Sequence, residues 1–277
     1  MFSLNLKGRL LTTDRPLVMG ILNLTEDSFH ADSRVPSTDG ALALALRQLD
    51  EGADILDLGA QSTRPGSRRM DAGEEIPRLV PAIRAILNAR PGAILSVDTY
   101  HSAVASAAVE AGALMVNDVS GGTMDPHMLR TVASLKVPYV CMHMQGRPEN
   151  MQASPAYGDV VAELMDFFAA RIRDGREAGI QDIIIDPGFG FGKTLAHNYT
   201  ILDALSVFRE FGLPVMVGLS RKSMIQKVLD IPAGEALNGT TVLHTVALLK
   251  GADILRVHDV REAREAVRLL SQLKDPT

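Results

Sequence analysis

The sequence predicts an α/β chain of (β/α)8 TIM-barrel type, with an N-terminal β-hairpin closing the bottom, as one domain over residues 1–277. Three observations predict it. Short apolar runs recur behind a Gly that can end a helix, an amphipathic stretch follows every run, and each run ends on a polar residue. The unit reads EGADILDLGAQSTRPG at 51–66, EAGALMVNDVSGG at 110–122, EAGIQDIIIDPGFGFG at 177–192, EFGLPVMVGLSRKS at 210–223 and KGADILRVHD at 250–259. A Gly in the left-handed position closes a helix without steric cost, and four to six β-favouring residues in a row suit a strand buried on both faces.

LVMGILN at 17–23, AILSVD at 93–98 and VPYVCMH at 137–143 bring the strands to eight. Amphipathic segments follow at 38–51, 72–89, 101–111, 125–135, 157–178, 196–211, 222–250 (broken at Pro232) and 260–273. Strands alternating with helices of this length require a parallel sheet with right-handed crossovers, and eight such units over about 250 residues make a closed barrel, with an open doubly wound sheet as the alternative. The opening FSLNLKGRLLT sets a Lys7-Gly8 turn between two alternating runs, which reads as the hairpin.

Composition limits the function. The 28 Lys plus Arg stand against 33 Asp plus Glu, a formal charge of −5. A nucleic acid or an anionic membrane surface needs a basic face and is excluded as the main partner. A single Cys, Cys141, leaves no disulfide framework and no Cys-rich zinc site. The first twenty residues are broken by charges, Gly and Pro, so no apolar signal segment is expected and the chain is read as cytoplasmic.

In such a barrel the strand C-termini and their loops form the reactive face. The residues ending the runs are Asn23, Asp57, Asp98, Asn117, His143, Asp186, Arg221 with Lys222, and Arg256 with His258. Carboxylates and an amide on different strands offer directional acceptors for a flat nitrogen heterocycle. Lys222, Arg256, His258 and Arg64 add cations and Asn23 an oxygen ligand suited to Mg²⁺, together a place for a pyrophosphate. GFGFGKT at 188–194 fits neither nucleotide-loop pattern, since Pro187 and Lys193 fall where Gly is required. It reads instead as a loop letting backbone approach a ligand, with Phe189 and Phe191 packing beneath it or flanking a ring, packing being favoured for Phe191. His30, His101, His127, His197 and His244 have no metal-ligand spacing, and neither a zinc-hydrolase pair nor a Ser nucleophile elbow is present.

The segments MGILNLTEDSF at 19–29, STRPG at 62–66, SVDTY at 96–100, VNDVS at 116–120, CMHMQGRPENMQ at 141–152, DPGFGFGKTLAHN at 186–198, GLSRKSMI at 218–225 and LRVHD at 255–259 resemble the dihydropteroate synthase family, in order and over almost the whole chain. The resemblance implies condensation of 6-hydroxymethyl-7,8-dihydropterin diphosphate with para-aminobenzoate on a homodimeric barrel that uses Mg²⁺. It further implies that Asp98, Asn117 and Asp186 bind the pterin edge, Met142 and Gly218 line its slot, and Lys222 reaches its ring atoms. Asn23 would ligate Mg²⁺, and Arg256 and His258 would hold the diphosphate. Phe29, Thr63, Arg64 and Pro65 would close over the reacting centre, with Phe189 and Ser220 completing the para-aminobenzoate site. The chain departs from the family's usual pattern at Glu26, at His30 to Ser33 and at Gln61, all on two loops. Two other readings share much of the motif set: a pterin-binding domain that transfers a methyl group to a corrinoid protein, and a non-catalytic paralogue. The apolar Ala/Leu surface of the helix near 240–250 is the candidate dimer face.

Overall fold

The chain begins with an antiparallel hairpin, β1 (Phe2–Leu6) and β2 (Arg9–Thr13). Lys7 and Gly8 form its two-residue turn with φ of 54° and 95°, and the Gly8 N–H donates to Asn5 Oδ1 at 2.6 Å. Positive φ at both turn positions matches the right-handed twist of the flanking strands. The computed structural model describes residues 1–24, 38–61, 69–147 and 150–274.

Eight parallel strands follow: β3 (Leu17–Asn23), β4 (Ile55–Gly59), β5 (Leu95–Asp98), β6 (Met115–Asp118), β7 (Tyr139–Met142), β8 (Ile183–Asp186), β9 (Met216–Val217) and β10 (Ile254–Val257). Each lies beside a sequence neighbour, and β10 pairs with β3 as well as with β9. An isolated parallel bridge between Ile185 and Val215 joins β8 to β9, so the sheet closes and the open doubly wound alternative is excluded.

Between the strands run α1 (Thr38–Asp50), α2 (Ala72–Ala89), α3 (Ser102–Glu110), α4 (Met128–Leu135), α5 (Val160–Ala178), α6 (Leu195–Asp203), α7 (Ser223–Leu229), α8 (Leu237–Leu249) and α9 (Val260–Lys274). Two expected helices are subdivided. The 196–211 segment turns 3₁₀ over Leu205–Phe211, and the 222–250 segment breaks around Pro232 into α7, a 3₁₀ turn at Ala233–Glu235 and α8.

Alternation along the strands divides two cores. Leu56, Leu58, Leu95, Val97, Val116 and Val217 face the helices and join the large outer core. Met19, Ile55, Met115, Val140, Ile184, Met216 and Ile254 face the axis, where Leu4 and Leu6 of the hairpin meet them at the N-terminal end. The hairpin thus closes the bottom with side chains, and the next inward positions, nearer the strand C-termini, are free to be polar. One carboxyl stands outside this scheme. Glu75 on α2 is wholly buried, 3.6 Å from the His101 ring nitrogen, and burial pushes its pKa up to about 8.

Because the folded chain holds the Glu75 proton up to about pH 8 and the unfolded chain releases it near 4.5, this group should make stability fall as pH rises through that window. Glu75→Gln should remove that part of the slope, gaining on the order of a few kcal/mol relative to the parent at pH 8. Equal slopes of melting temperature against pH for parent and variant would contradict it.

Candidate active site

At the C-terminal mouth the inward-facing residues become charged. Asp57 on β4 is fully buried, and its Oδ2 accepts from Arg256 Nε at 2.6 Å and from Asn117 Nδ2 at 2.8 Å. The same guanidinium donates through Nη2 to Asp98 Oδ2 at 2.7 Å. One hub therefore ties β10, β4, β5 and β6 across the barrel interior. Since the Asn117 amide nitrogen serves Asp57, its oxygen is left buried with no protein partner. A buried polar atom in that state marks a place where a donor is meant to arrive.

Asp186 faces the same space from β8, its Oδ1 accepting the Gly188 N–H at 2.7 Å. Lys222, at the start of α7, donates to the Phe189 carbonyl at 2.5 Å and lies 4.7 Å above the Phe191 ring. Tyr100, Val119 and Met142 form a small apolar wall, with Met124, Met144 and Phe191 against it. A Cβ on Gly218 would lie 3.7 Å from Lys222 Nζ and 4.0 Å from Arg256 Cβ, so this Gly leaves the floor open beneath both cations. Ser220 Oγ takes the His258 backbone N–H at 3.2 Å and lies 3.0 Å from His258 Nδ1, which orients that ring. Behind the wall, Asp118 gathers Ser120 N–H, Ser120 O–H, Gly122 N–H and Tyr139 O–H at 2.7–2.8 Å and fixes the turn after β6.

Packing charges into so dry a mouth shifts their titration. Burial, with Asp57, Asp118 and Asp186 nearby, pushes Asp98 up to about 7 against the pull of Arg256. Burial also raises Asp186, opposed by Lys222. The Lys222 ammonium is lowered by burial to about 8, opposed by Asp186 and Asp98. Near neutrality the site thus holds one carboxyl, Asp98, poised to lose its proton and one ammonium, Lys222, poised to keep it.

Of the residues singled out in the sequence, Asp98, Asn117, Met142, Asp186, Gly218, Ser220, Lys222, Arg256 and His258 come together at this mouth, with Asn23 at its rim closing β3. Phe29, Thr63, Arg64 and Pro65 lie outside the described residues, as do Glu26 and His30 to Ser33. Phe189 is corrected: its ring is fully buried in the outer core, and only its carbonyl serves the mouth. Phe191, for which packing was favoured, is the ring at the mouth. Positive φ at Gly188, Gly190 and Gly192 turns the chain on either side of each Phe, which sends the two rings opposite ways.

Residues 19–258 match the family model of pterin binding enzymes. The dihydropteroate synthase of Escherichia coli strain K12 is 41% identical over 266 residues, 95% of this chain and 94% of that protein. The chain belongs to the dihydropteroate synthase family of pterin binding enzymes. Two solved family members are similar throughout. The Yersinia pestis enzyme in a sulfonamide drug complex has a TM-score of 0.94 at 41% identity, covering 99% of each chain. The Xanthomonas albilineans enzyme with 4-aminobenzoic acid has a TM-score of 0.90 at 41% identity, covering 99% of this chain and 98% of that one.

Sequence reading named Asp57 among the strand ends but gave this pterin binding enzyme no role for it. The signal was the ILDLG run, where Asp57 shares a face with Ile55 and Gly59. Tyr100 and Lys193 were not assigned at all. Tyr100 is 2% exposed, with Arg69 5.0 Å above its ring, and Lys193 is 3% exposed. Because Asp57 fixes which end of the Asn117 amide faces the mouth, Asp57→Asn should weaken binding of a dihydropterin roughly 10–100-fold, as loss of a charged buried hydrogen bond implies. Calorimetric titration checks this, and unchanged affinity would remove Asp57 from the site.

Proposed function

We infer that this chain condenses 6-hydroxymethyl-7,8-dihydropterin diphosphate with para-aminobenzoate, giving 7,8-dihydropteroate and pyrophosphate in folate biosynthesis. The observation that carries the reading is the acceptor edge of Asp98, Asn117 Oδ1 and Asp186 beneath Arg256 and Lys222. Three acceptors in a row suit the N–H donors of a pterin's pyrimidine edge. Arg256 beside them suits its anionic tail, and Lys222 a ring acceptor. The named relatives support it over nearly their full lengths.

The C–O bond to the diphosphate breaks first, its electron pair leaving with the diphosphate oxygen, and the exocyclic carbon becomes a cation delocalised into the ring. We assign Asp98 to stabilise that positive pterin, and Arg256, His258 and Arg64 to bind the departing anion. Asn117, Asp186 and Met142 hold the ring, with Gly218 leaving it room. Lys222 donates to a ring atom. The arylamine nitrogen then bonds to the carbon and loses its proton afterwards, when it has become acidic. No strong general base is needed, and positioning by Phe29, Thr63, Pro65 and Ser220 supplies much of the gain. Phe191 takes the ring-contact role first given to Phe189.

Among the described residues there is no cluster of three His, Cys, Asp or Glu side chains able to cage a metal. A single amide oxygen at Asn23 nevertheless fits Mg²⁺, which binds through few protein ligands plus substrate phosphates and waters. We propose that Asn23 and the diphosphate hold it, where it would neutralise charge on the leaving group.

Pyrophosphate release should require both substrates, and Asp98→Ala or Lys222→Ala should each lower kcat/KM by about 10²-fold or more. Release without para-aminobenzoate, or full activity in both variants, would overturn the reading. Asp98 must be ionised and Lys222 protonated, so kcat/KM should rise through pH about 7 and fall through about 8. Asp98→Asn should abolish the acid limb, and a chelator should stop turnover until Mg²⁺ is restored.

We also propose a homodimer through the α8 and α9 face, where Val242, Leu249, Leu269 and Leu273 are more than half exposed. Large apolar side chains exposed on two helices that pack together mark a candidate contact surface. Sedimentation should give about twice 29.8 kDa, and Leu249→Glu with Leu269→Glu should give the single-chain mass. A parent chain that sediments as a monomer would exclude it. No helix among the described residues is long and apolar enough to cross a membrane.

A further inference from the structure

The Gly188–Gly192 loop has a wall-like construction. Each of its five consecutive carbonyls takes a bond from a side chain. Lys193 Nζ donates to Gly188 O at 3.0 Å and to Phe191 O at 3.0 Å, and Lys222 takes Phe189 O. Gln152 reaches Gly190 O, and the Tyr157 hydroxyl donates to Gly192 O at 2.8 Å. The loop is pressed against the segment after β7: a Cβ on Gly188 would lie 2.0 Å from His143 O and one on Gly192 2.4 Å from Gln145 O. Lys193 sits at that seam. Its ammonium also meets His143 Nδ1 at 3.0 Å and His143 O at 3.3 Å.

We propose that Lys193 is a positioning residue for the condensation, its inward-turned ammonium holding the loop in the shape that sets the Phe191 ring and the Lys222 ammonium at the mouth. The proposal rests on the reading of the site given above. Two features separate this lysine from ordinary packing. It holds two of the five carbonyls and the neighbouring strand's loop at once, so its loss frees both sides of the seam. It is also the donor that ligand binding leaves in place. Lys222 is half-buried at the mouth, and on that reading it turns to the pterin, so Phe189 O must share or surrender its partner. The loop then keeps its shape through Lys193. His143 suits the part of acceptor, since burial and the adjacent Lys193 lower its pKa to about 3 and keep it neutral. Burial lowers Lys193 itself to about 7, with the Asp186 carboxylate opposing.

The test uses the full chain with Lys193→Ala, in steady-state assays that vary para-aminobenzoate at saturating pterin diphosphate. Displacement of Phe191 and Lys222 by an ångström or less should raise the arylamine KM about tenfold and lower kcat. Affinity for the pterin diphosphate, measured by calorimetry, should fall by less than the arylamine KM rises, because Asp98, Asn117 and Asp57 are untouched and only the Lys222 contact is disturbed. Ethylammonium, which can enter the space left and donate to the freed carbonyls, should restore a substantial part of the activity. Tetramethylammonium, with no N–H, should not. Unchanged arylamine kinetics, equal rescue by both cations, or a loss that ethylammonium does not relieve would each overturn the proposal. If Lys193→Ala fails to fold, Lys193→Gln, which keeps an amide donor, is judged by the same split between arylamine KM and pterin affinity. A parent chain that releases no pyrophosphate would instead refute the functional reading, so the two failures are distinct.

Discussion

Asp57 is the constraint from which the mouth is built. A carboxylate wholly removed from water must be neutralised and hydrogen-bonded, or folding forfeits several kcal/mol. Its partners come from β10 and β6, strands that flank neither side of β4 in the sheet. Pairing β10 with β3 sets Arg256 two strands from Asp57 and three from Asp98, within reach of both on the inner face. The strand pairing that joins β10 to β3 and β9 is therefore also what brings a cation to this fully buried carboxylate.

Charge is shared around this hub. Asp57, Asp98 and Asp186 face Arg256, Lys222 and Lys193, three of each sign in one small volume. Burial outweighs this pairing at Asp98, Asp186, Lys222 and Lys193, which is why those two acids drift up and both lysines drift down. The apolar hairpin plug and the helix-facing core supply the stability that lets such a cluster persist. A ligand bringing N–H donors to Asn117 and the free carboxylate oxygens, and an anion to the cations, relieves the same imbalance. Binding energy and site strain are thus two views of one set of unsatisfied groups.

Strand periodicity made the scaffold legible before any coordinates. The LVMGILN run and β3 share the same bounds, and α2 spans the expected 72–89. Where reading fell short, local geometry explains it. LPVMVG shrinks to the two residues of β9 because Pro214 has no N–H to give and Val215 contributes an isolated bridge rather than a ladder. The helix 196–211 changes to 3₁₀ after Ala204 without a Gly or Pro to announce it. Asp98, Asn117, Asp186 and Asp57 were all visible as strand ends, but the role of Asp57 was not, because its cationic partner is 199 residues away in the chain. The two Phe rings could not be told apart because periodicity loses meaning where alternate residues are glycines at positive φ.

The Gly-rich loop shows why such a motif must be judged by polarity as well as composition. A phosphate-binding loop works by turning consecutive N–H groups toward the ligand and a lysine after them. Here the N–H of Gly188 goes to Asp186, that of Gly190 to Asn198 Oδ1 at 2.7 Å and that of Phe191 to Gly188 O at 3.1 Å. The lysine that follows turns back into the loop's own carbonyls. The same residue types thus build a backbone with three of its donors already engaged within the protein and its five carbonyls held by Lys193, Lys222, Gln152 and Tyr157. Such a loop cannot serve as an anion cradle. What it can offer is a fixed edge for a flat ring, with the anion left, on the proposed reading, to Arg256 and His258.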